Sequence, residues 1–450
     1  MAVMSIVSCS SLEKSSKEHE QKTVDLLVLD PGHFHASLLQ KDTISAINDT
    51  IRVFAPEGEE VIQYEKSIDL YNSRTANPTS WVKQLYIGDD YLSKMGECRK
   101  GSVVVLAGNN KKKTHYISEA IKKGFHVLSD KPLAINKTDF NQLLEAYKLA
   151  EKNDLLIFDL MTERYEMLNV IERELLNESS LFGKLKKGSE EEPAVSMAST
   201  HHFFKTVSGV PLRRPVWYYD VEQQGEGIAD VTTHLIDLIT WQCFPDEAIH
   251  YATDVRVNSS KHWCTPITLD QFTKSTQCDS FPVCLKKYVK NDVLGVMANG
   301  EINFSVKGTH VRIKVIWDYE APEDGGDTFV SVKKGTLSEI KIVQDRESKF
   351  TRQLYIQKND EIDLHSFKTE LDKVINKLKK SYPFITVVEK NTGLYLIDIP
   401  LQNRSGHEEH FSEVVKSFLQ YLSEKNMPEW ENENTITKYF ITTTAVDIAQ

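Results

Sequence analysis

The chain has 450 residues, 40% hydrophobic and 26% charged, with a formal net charge of −11. That length exceeds what one small core supports, so two domains are expected. The acidic balance argues against a nucleic-acid partner, and no run of about 18 apolar residues occurs, so no transmembrane helix is expected.

The chain opens with "MAVMSIVSCSSLEKSSKEHEQK". Ile6-Val7-Ser8-Cys9 resembles a bacterial lipobox, in which the cysteine carries a lipid. Only eight residues precede Cys9 and none is basic, whereas a full signal peptide has a basic start and a longer apolar stretch. The segment reads as a signal truncated at its start or as a frayed terminus. We expect residues 1–22 to be a signal remnant and tether, with a lipid anchor at Cys9. The location is then the periplasm or a membrane surface, with the cytoplasm as the alternative. The six cysteines, Cys9, Cys98, Cys243, Cys264, Cys278 and Cys284, form no C-x-x-C pair. His262 lies near three of them, but the spacing fits no common zinc pattern, so no metal site is expected. The basic runs at 111–113 and 184–187 read as solvated charge.

From Val24 strands and helices alternate. "VDLLVLD" (24–30), "IRVFAPEG" (51–58), "SVVVLAGNN" (102–110), "FHVLSDKP" (125–132) and "DLLIFDL" (154–160) read as buried strands. "THYISEAIKKG" (114–124) and "FNQLLEAYKLAEKN" (140–153) read as helices. Continuous apolar strands between helices imply a parallel sheet covered on both faces. The expected fold is an α/β Rossmann-type, doubly wound domain over 23–160, followed by an α+β domain over 161–450.

A dinucleotide-binding loop would follow the first strand as G-x-G-x-x-G. Here "LDPGHFHASLL" places Asp30, Gly32 and His35 at the three glycine positions. Only the middle glycine remains. An ordinary strand-to-helix turn is the competing reading, although a helix N-terminus there would offer N–H groups to phosphate. His33, Phe34 and His35 stand in the same loop. Glu57, Glu59 and Glu60 follow the second strand, about 20 residues past the loop, where an acid can bind a ribose diol. No arginine follows that strand end, which favours NAD over NADP. Glu57 is the best single candidate; a solvated acidic loop is the alternative.

The block "SVVVLAGNNKKKTHYISEAIKKGFHVLSDKPLA" resembles the Glu-Lys-Pro region of the Gfo/Idh/MocA oxidoreductases, relatives of glucose–fructose oxidoreductase and inositol dehydrogenase. Asn109 or Asn110, His115, Gly124 to Val127 and Asp130-Lys131-Pro132 carry the likeness, with aspartate in place of glutamate. Arg164-Tyr165 and Phe182 to Leu185 are similar to later pieces of the family, as is "RRPVWYYDVEQQGEGIADVTTHLIDLITW" before and through its catalytic helix. The last two helices, near 410–430 and 437–450, match loosely. The "DPGHFHA" loop and a C-terminal extension are similar to an exported subgroup from carbohydrate-degrading bacteria.

Asp230, His234 and Asp237 are spaced i, i+4, i+7, which at about 100° per residue places them on one helix face. Alone, this reads equally as a buried histidine braced by carboxylates. The resemblance implies that Lys131 binds the substrate hydroxyl, that His234 is its general base, and that Asp230 orients His234 or holds a second hydroxyl. Oxidising a secondary alcohol requires a proton to leave its oxygen, and an imidazole suits that task. Gly32, His33, Phe34, Glu57, Asn109, His115 and Asp130 are expected to bind NAD. Arg164, Trp217, Tyr218 and Asp237 are expected to meet the carbohydrate, with His201, His202, Arg213 and Arg214 nearby.

After residue 190, "AVSMASTHHFF", "LGVMANGEINFSVKG", "THVRIKVIWDYE", "TFVSVKKGT" and "SEIKIVQ" alternate with period two. They predict a mostly antiparallel sheet, which the resemblance implies forms a substrate wall and a homo-oligomer surface. "PEDGGDT" (322–328) is expected to be a mobile loop, and "FITVVEK" and "GLYLIDIP" to be two further strands. The function expected is NAD(P)-dependent hydride transfer from a secondary hydroxyl of a sugar or glycoside. The alternatives are an NAD-dependent glycosidase on the same fold and a non-enzymatic carbohydrate-binding lipoprotein.

Overall fold

The computed structural model describes residues 24–207 and 210–450. The Cys9 tether lies outside the described residues.

The first domain is a six-stranded parallel sheet. Its strands are β1 (Val24–Leu29), β2 (Ile47–Ala55), β3 (Val82–Ile87), β4 (Val103–Leu106), β5 (His126–Ser129) and β6 (Ile157–Asp159), in the order β3-β2-β1-β4-β5-β6. Between them run α1 (His35–Leu38), α2 (Glu59–Ser73), α3 (Tyr91–Met95), α4 (Asn110–Lys122) and α5 (Lys137–Lys152). Side chains alternate across the sheet. Leu26 and Val28 pack on one face, and Leu27 and Leu29 on the other with α4 and α5 residues such as Ile117, Ile121 and Leu143. The first face is covered partly by Phe411, Val414, Val415 and Phe418 from the helix His407–Glu424, nearly 400 residues along the chain.

Sheet order reverses between β1 and β4, and a crevice opens beyond the carboxyl ends of those two strands. Such a switch point is where open α/β sheets bind ligands. The loops at 30–34 and 107–109 meet there, Gly32 and His33 bonding to Ala107.

The second domain is built on a ten-stranded sheet. Strands Val195–Phe204 and Thr309–Glu320 pair in parallel at its centre, and the neighbours pair antiparallel. Both C-terminal strands expected from the sequence form, as Thr386–Asn391 and Leu394–Asp398. Three elements that the sequence reading passed over also form: the strands Val255–Thr268 and Gln353–Lys358 and the helix Leu364–Leu378. The end of the 322–328 loop is tied down, because Asp327 takes His202 Nδ1 at 2.8 Å and Lys205 Nζ at 3.1 Å. Cys98, Cys243, Cys264, Cys278 and Cys284 are free thiols.

Candidate active site

The turn after β5 carries Asp130-Lys131-Pro132. Lys113, from the first turns of α4, reaches beneath it and is only 2% exposed. Its Nζ donates to Asn110 Oδ1 at 2.7 Å, to the Asp130 carbonyl at 2.9 Å and to the Lys131 carbonyl at 3.3 Å. This corrects the reading of 111–113 as solvated charge: helix phase turns Lys113 inward and leaves Lys111 and Lys112 exposed. Burial lowers the Lys113 ammonium pKa to about 8.

Lys131 forms an ion pair with Asp230. Burial opposes the Lys131 charge, but Asp230 and Asp130 outweigh it and raise its pKa. The same pair holds the Asp230 carboxyl low against its own burial.

His234 sits in the first turn of the helix Thr232–Cys243. Its Nδ1 is buried and has no hydrogen-bond partner. Burial, then the nearby Lys131 charge, lowers its pKa to about 4, while Glu163 and Asp237 pull the other way. The i, i+4, i+7 face expected from sequence does not form, because the helix begins at Thr232 and Asp230 lies before it in a non-helical conformation. Asp230 therefore goes to Lys131.

Asp237 goes elsewhere. Arg164 grips it with Nε at 2.6 Å and Nη2 at 2.7 Å, and gives Nη1 to Glu431 at 2.5 Å. Lys438 lies 3.1 Å from Asp237 and 2.9 Å from Asp159. Burial pushes the Asp237 carboxyl up, but Arg164 and Lys438 hold it at about 2. Arg164 and Asp237, expected to meet substrate, are thus engaged with each other and with the last helix, Glu429–Ile448.

Two N–H groups of the loop after β1 are already engaged within the protein. Gly32 N–H and His33 N–H both donate to the Ala107 carbonyl, at 3.0 and 3.1 Å, and α1 has only four residues. This corrects the expectation of free helix-end N–H groups. A Cβ on Gly108 would stand 2.5 Å from the Asp30 carbonyl oxygen, so close approach of the two loops requires glycine there. Asp30 adopts a positive φ of 45° and accepts from Tyr116 Oη at 2.6 Å and Lys112 Nζ at 3.0 Å. His35 Nδ1 lies 2.9 Å from Asp130 Oδ2, and its Nε2 lies 3.3 Å from His407 Nε2.

The remaining expected residues spread around this centre. Phe34 is 51% exposed at the crevice. Glu57 is exposed just past β2, and the neighbouring Glu59 takes Arg213 Nη1 at 3.2 Å across the opening. Asn109 caps α4 through the Lys111 N–H and donates to Gln223 Oε1 at 2.7 Å. His115 is exposed on α4, its ring 6.1 Å from that of Tyr116. Trp217 and Tyr218 are mostly buried, Tyr218 beneath the Arg214 guanidinium at 4.5 Å, and both line a cleft of about 430 Å³ with Gly32, His33 and Phe34. That volume suits a small-molecule site. A second cleft of about 330 Å³ is lined by Glu163, Arg352, Arg404 and His407. A larger cavity of about 750 Å³ lies between Ile135, Tyr219, Cys264 and Met297, and none of these three clefts is lined by Lys131, Asp230 or His234.

Sequence reasoning missed Lys113, Glu163 and His407. Burial opposes the Glu163 charge, but Arg352 and then His234 hold its pKa at about 2. The chain spacing of these residues carries no sign of their meeting.

The family match makes the chain an oxidoreductase. The family described as "Putative oxidoreductase C terminal domain" matches residues 171–450, and the chain belongs to that family. It is similar to the crystal structure of a putative oxidoreductase from Parabacteroides merdae ATCC 43184, with 42% identity, a TM-score of 0.93, and 95% of this chain and 98% of that one covered. A structure of a putative oxidoreductase from Thermotoga maritima shares the fold at 14% identity and TM-score 0.60, covering 95% and 98% of the two chains. So does KijD10, a 3-ketoreductase from Actinomadura kijaniata in complex with NADP and TDP-benzene, at 10% identity and TM-score 0.54, with the same coverage. No curated protein matches the chain.

Proposed function

We propose that the protein is a nicotinamide-dependent oxidoreductase that interconverts a secondary hydroxyl and a ketone on a sugar or glycoside. The observation that carries this reading is the Lys131–Asp230 ion pair with the half-buried His234 close by. An ammonium fixed in position stabilises negative charge developing on a substrate oxygen. A neutral imidazole takes the hydroxyl proton on the ring nitrogen it presents to substrate as the carbon gives up hydride, and returns it in the reverse direction.

The crevice has the residues to hold the cofactor: the close-approach loops at Gly32 and Gly108, Asn109, Asp130 and the exposed Glu57. When bound, the nicotinamide accepts or donates the hydride. Glu57 and Glu60 after β2 favour a free ribose diol over a 2′-phosphate, hence NAD over NADP, with Glu59 taken up by Arg213. The faces of Trp217 and Tyr218 support a carbohydrate partner. The lipobox-like Cys9 supports a site outside the cytoplasm, where a tightly retained cofactor serves better than an exchanging one. The likeness to the Gfo/Idh/MocA oxidoreductases points the same way.

A second reading, carbohydrate binding without turnover, is favoured by the engagement of Gly32 and His33 N–H groups with Ala107. Denaturing the purified protein and assaying the supernatant for NAD and NADP by mass spectrometry separates the two. The proposal expects bound NAD, or binding of added NAD, and a keto product from a glycoside panel. Protein that lacks cofactor, binds neither form and still binds sugars establishes the second reading instead.

A further inference from the structure

We propose that His33, His35 and Asp130 form a site for a first-row divalent transition metal, with a coordination position open to the Trp217–Tyr218 cleft. The inference shares Asp130 with the nicotinamide reading but does not depend on it. It begins with convergence. Asp130 Oδ2 lies 2.9 Å from His35 Nδ1 and 3.5 Å from His33 Nδ1, and the three donor atoms all fall within 4.8 Å of one another. Zinc bonds to imidazole and carboxylate run about 2.0–2.2 Å, so tetrahedral ligand atoms stand roughly 3.3–3.5 Å apart. The observed separations bracket that value. Two imidazoles and one carboxylate are a donor set suited to zinc or ferrous iron.

The backbone builds this cluster. Two N–H bonds to Ala107 bend the loop after β1 across the end of β4 toward the β5 turn. The His-x-His spacing then sets both rings against Asp130, the ring centroids 4.1 Å apart and nearly perpendicular.

Charge completes the argument. Asp130 is 5% exposed, and a buried carboxylate requires a positive partner. The two nearby ammoniums are engaged elsewhere: Lys131 with Asp230, and Lys113 with backbone carbonyls and Asn110. Among the described residues, the imidazoles of His33 and His35 face the Asp130 side chain directly. A cation among the three donors would place its charge directly on this buried carboxylate.

The far side of His35 fits as well. A metal on Nδ1 leaves Nε2–H free to donate, and His407 Nε2 lies 3.3 Å away to accept. A ligating histidine commonly makes such an outer hydrogen bond, which fixes its ring and tautomer. His407 is therefore a positioning residue, delivered by the C-terminal segment. His33 and Phe34 line the cleft that holds Trp217 and Tyr218, so a small hydroxyl, keto or carboxylate oxygen arriving there meets the open position.

The test uses the full chain, stripped with a chelator, desalted and loaded separately with Zn²⁺, Fe²⁺ and Co²⁺. Metal content is read by plasma mass spectrometry, and Co²⁺ geometry by its visible d–d bands. The expected result is about one equivalent of metal per chain with a low-coordinate Co²⁺ spectrum. His407→Gln should weaken binding about 10–100-fold. His35→Gln and Asp130→Asn should each weaken it further and abolish the Co²⁺ bands, with circular dichroism reporting their fold. Wild-type protein that is folded by the same measure yet retains no metal above trace overturns the proposal. So does unchanged metal content in folded Asp130→Asn. NAD measured in the same samples keeps failure here distinct from failure of the nicotinamide reading.

Discussion

Replacing Arg164 by Met decides whether that residue serves substrate or stability. Its guanidinium is 9% exposed as a side chain and makes three short bonds to Asp237 and Glu431. Without it, Asp237 keeps Lys438, but Glu431, 6% exposed, loses its ion-pair partner. Stranding a buried charge in this way costs about 3–5 kcal/mol. Protonation offers partial relief, because burial already pushes the Glu431 carboxyl above its usual range despite Arg164. In Arg164→Met that carboxyl binds a proton more readily folded than unfolded. A raised carboxyl pKa means stability that is present at low pH and lost as pH rises, at most about 1.4 kcal/mol per pH unit for one proton. The deficit against wild type, read from urea midpoints, should therefore be smaller at mildly acidic pH than at neutral pH. Arg164→Met with Glu431→Gln should recover stability, the pair coupling by about 0.5–3 kcal/mol. A single variant as stable as wild type, changed only in KM for a sugar, would refute this reasoning and return Arg164 to the substrate.

Further outcomes follow from the same geometry. His234 is held at about 4 against an ordinary 6.5, so between those values the unfolded chain takes a proton that the folded chain refuses. Stability should fall by up to about 3 kcal/mol as pH drops through that window, and His234→Gln should flatten the acid side of the unfolding curve; superimposable curves would contradict the assignment. Gly108→Ala places a Cβ 2.5 Å from the Asp30 carbonyl and 3.0 Å from Gly32 N, both backbone atoms that cannot rotate away. It should cost about 1–3 kcal/mol and loosen the β1 loop, read as faster amide exchange there, whereas an unaltered melting temperature would sink the idea. Lys113→Met removes three hydrogen bonds, each worth about 1–3 kcal/mol when an acceptor is left bare. It also removes a desolvated ammonium whose shift from 10.5 to about 8 costs roughly 3 kcal/mol. The lost bonds sum to about 3–9 kcal/mol against roughly 3 regained, so the melting temperature should fall and turnover with it, the turn that aims Lys131 having lost its clamp; an unaltered melting temperature and turnover argue against the clamp.

The parts of the fold legible in sequence are those where environment and pattern agree. Strands β1 and β4 to β6 are buried on both faces and read as continuous apolar runs. Strand β3, "VKQLYI", sits at the sheet edge with Val82, Leu85, Tyr86 and Ile87 substantially exposed, so nothing marks it as buried. The helix Leu364–Leu378 does carry helical spacing, with Phe367, Leu371, Val374, Ile375 and Leu378 buried; the charged residues between them obscure it. At the site, the sequence places Lys131, Asp230 and His234 in one neighbourhood. It does not reveal which carboxylate serves which cation, because that depends on a helix start two residues past Asp230. Nor does it separate Lys113 from Lys111 and Lys112, where helix phase alone decides burial.

His407 shows how much of the first domain the last fifty residues complete. The helix that carries it seats Phe411, Val414, Val415 and Phe418 on the first sheet. At about 1.5–3 kcal/mol for each buried side chain, these four alone contribute on the order of 6–12 kcal/mol, comparable with the whole net stability of about 5–15 kcal/mol of a typical folded protein. The next helix supplies Glu431 and Lys438 to Arg164 and Asp237, and Tyr439 Oη to Asp159 at 2.7 Å. Closing the first domain's core, holding His35 against Asp130 and neutralising the acids behind His234 are thus tasks of one returning segment. The chemistry at the β5 turn depends on it for position as much as the first sheet depends on it for burial.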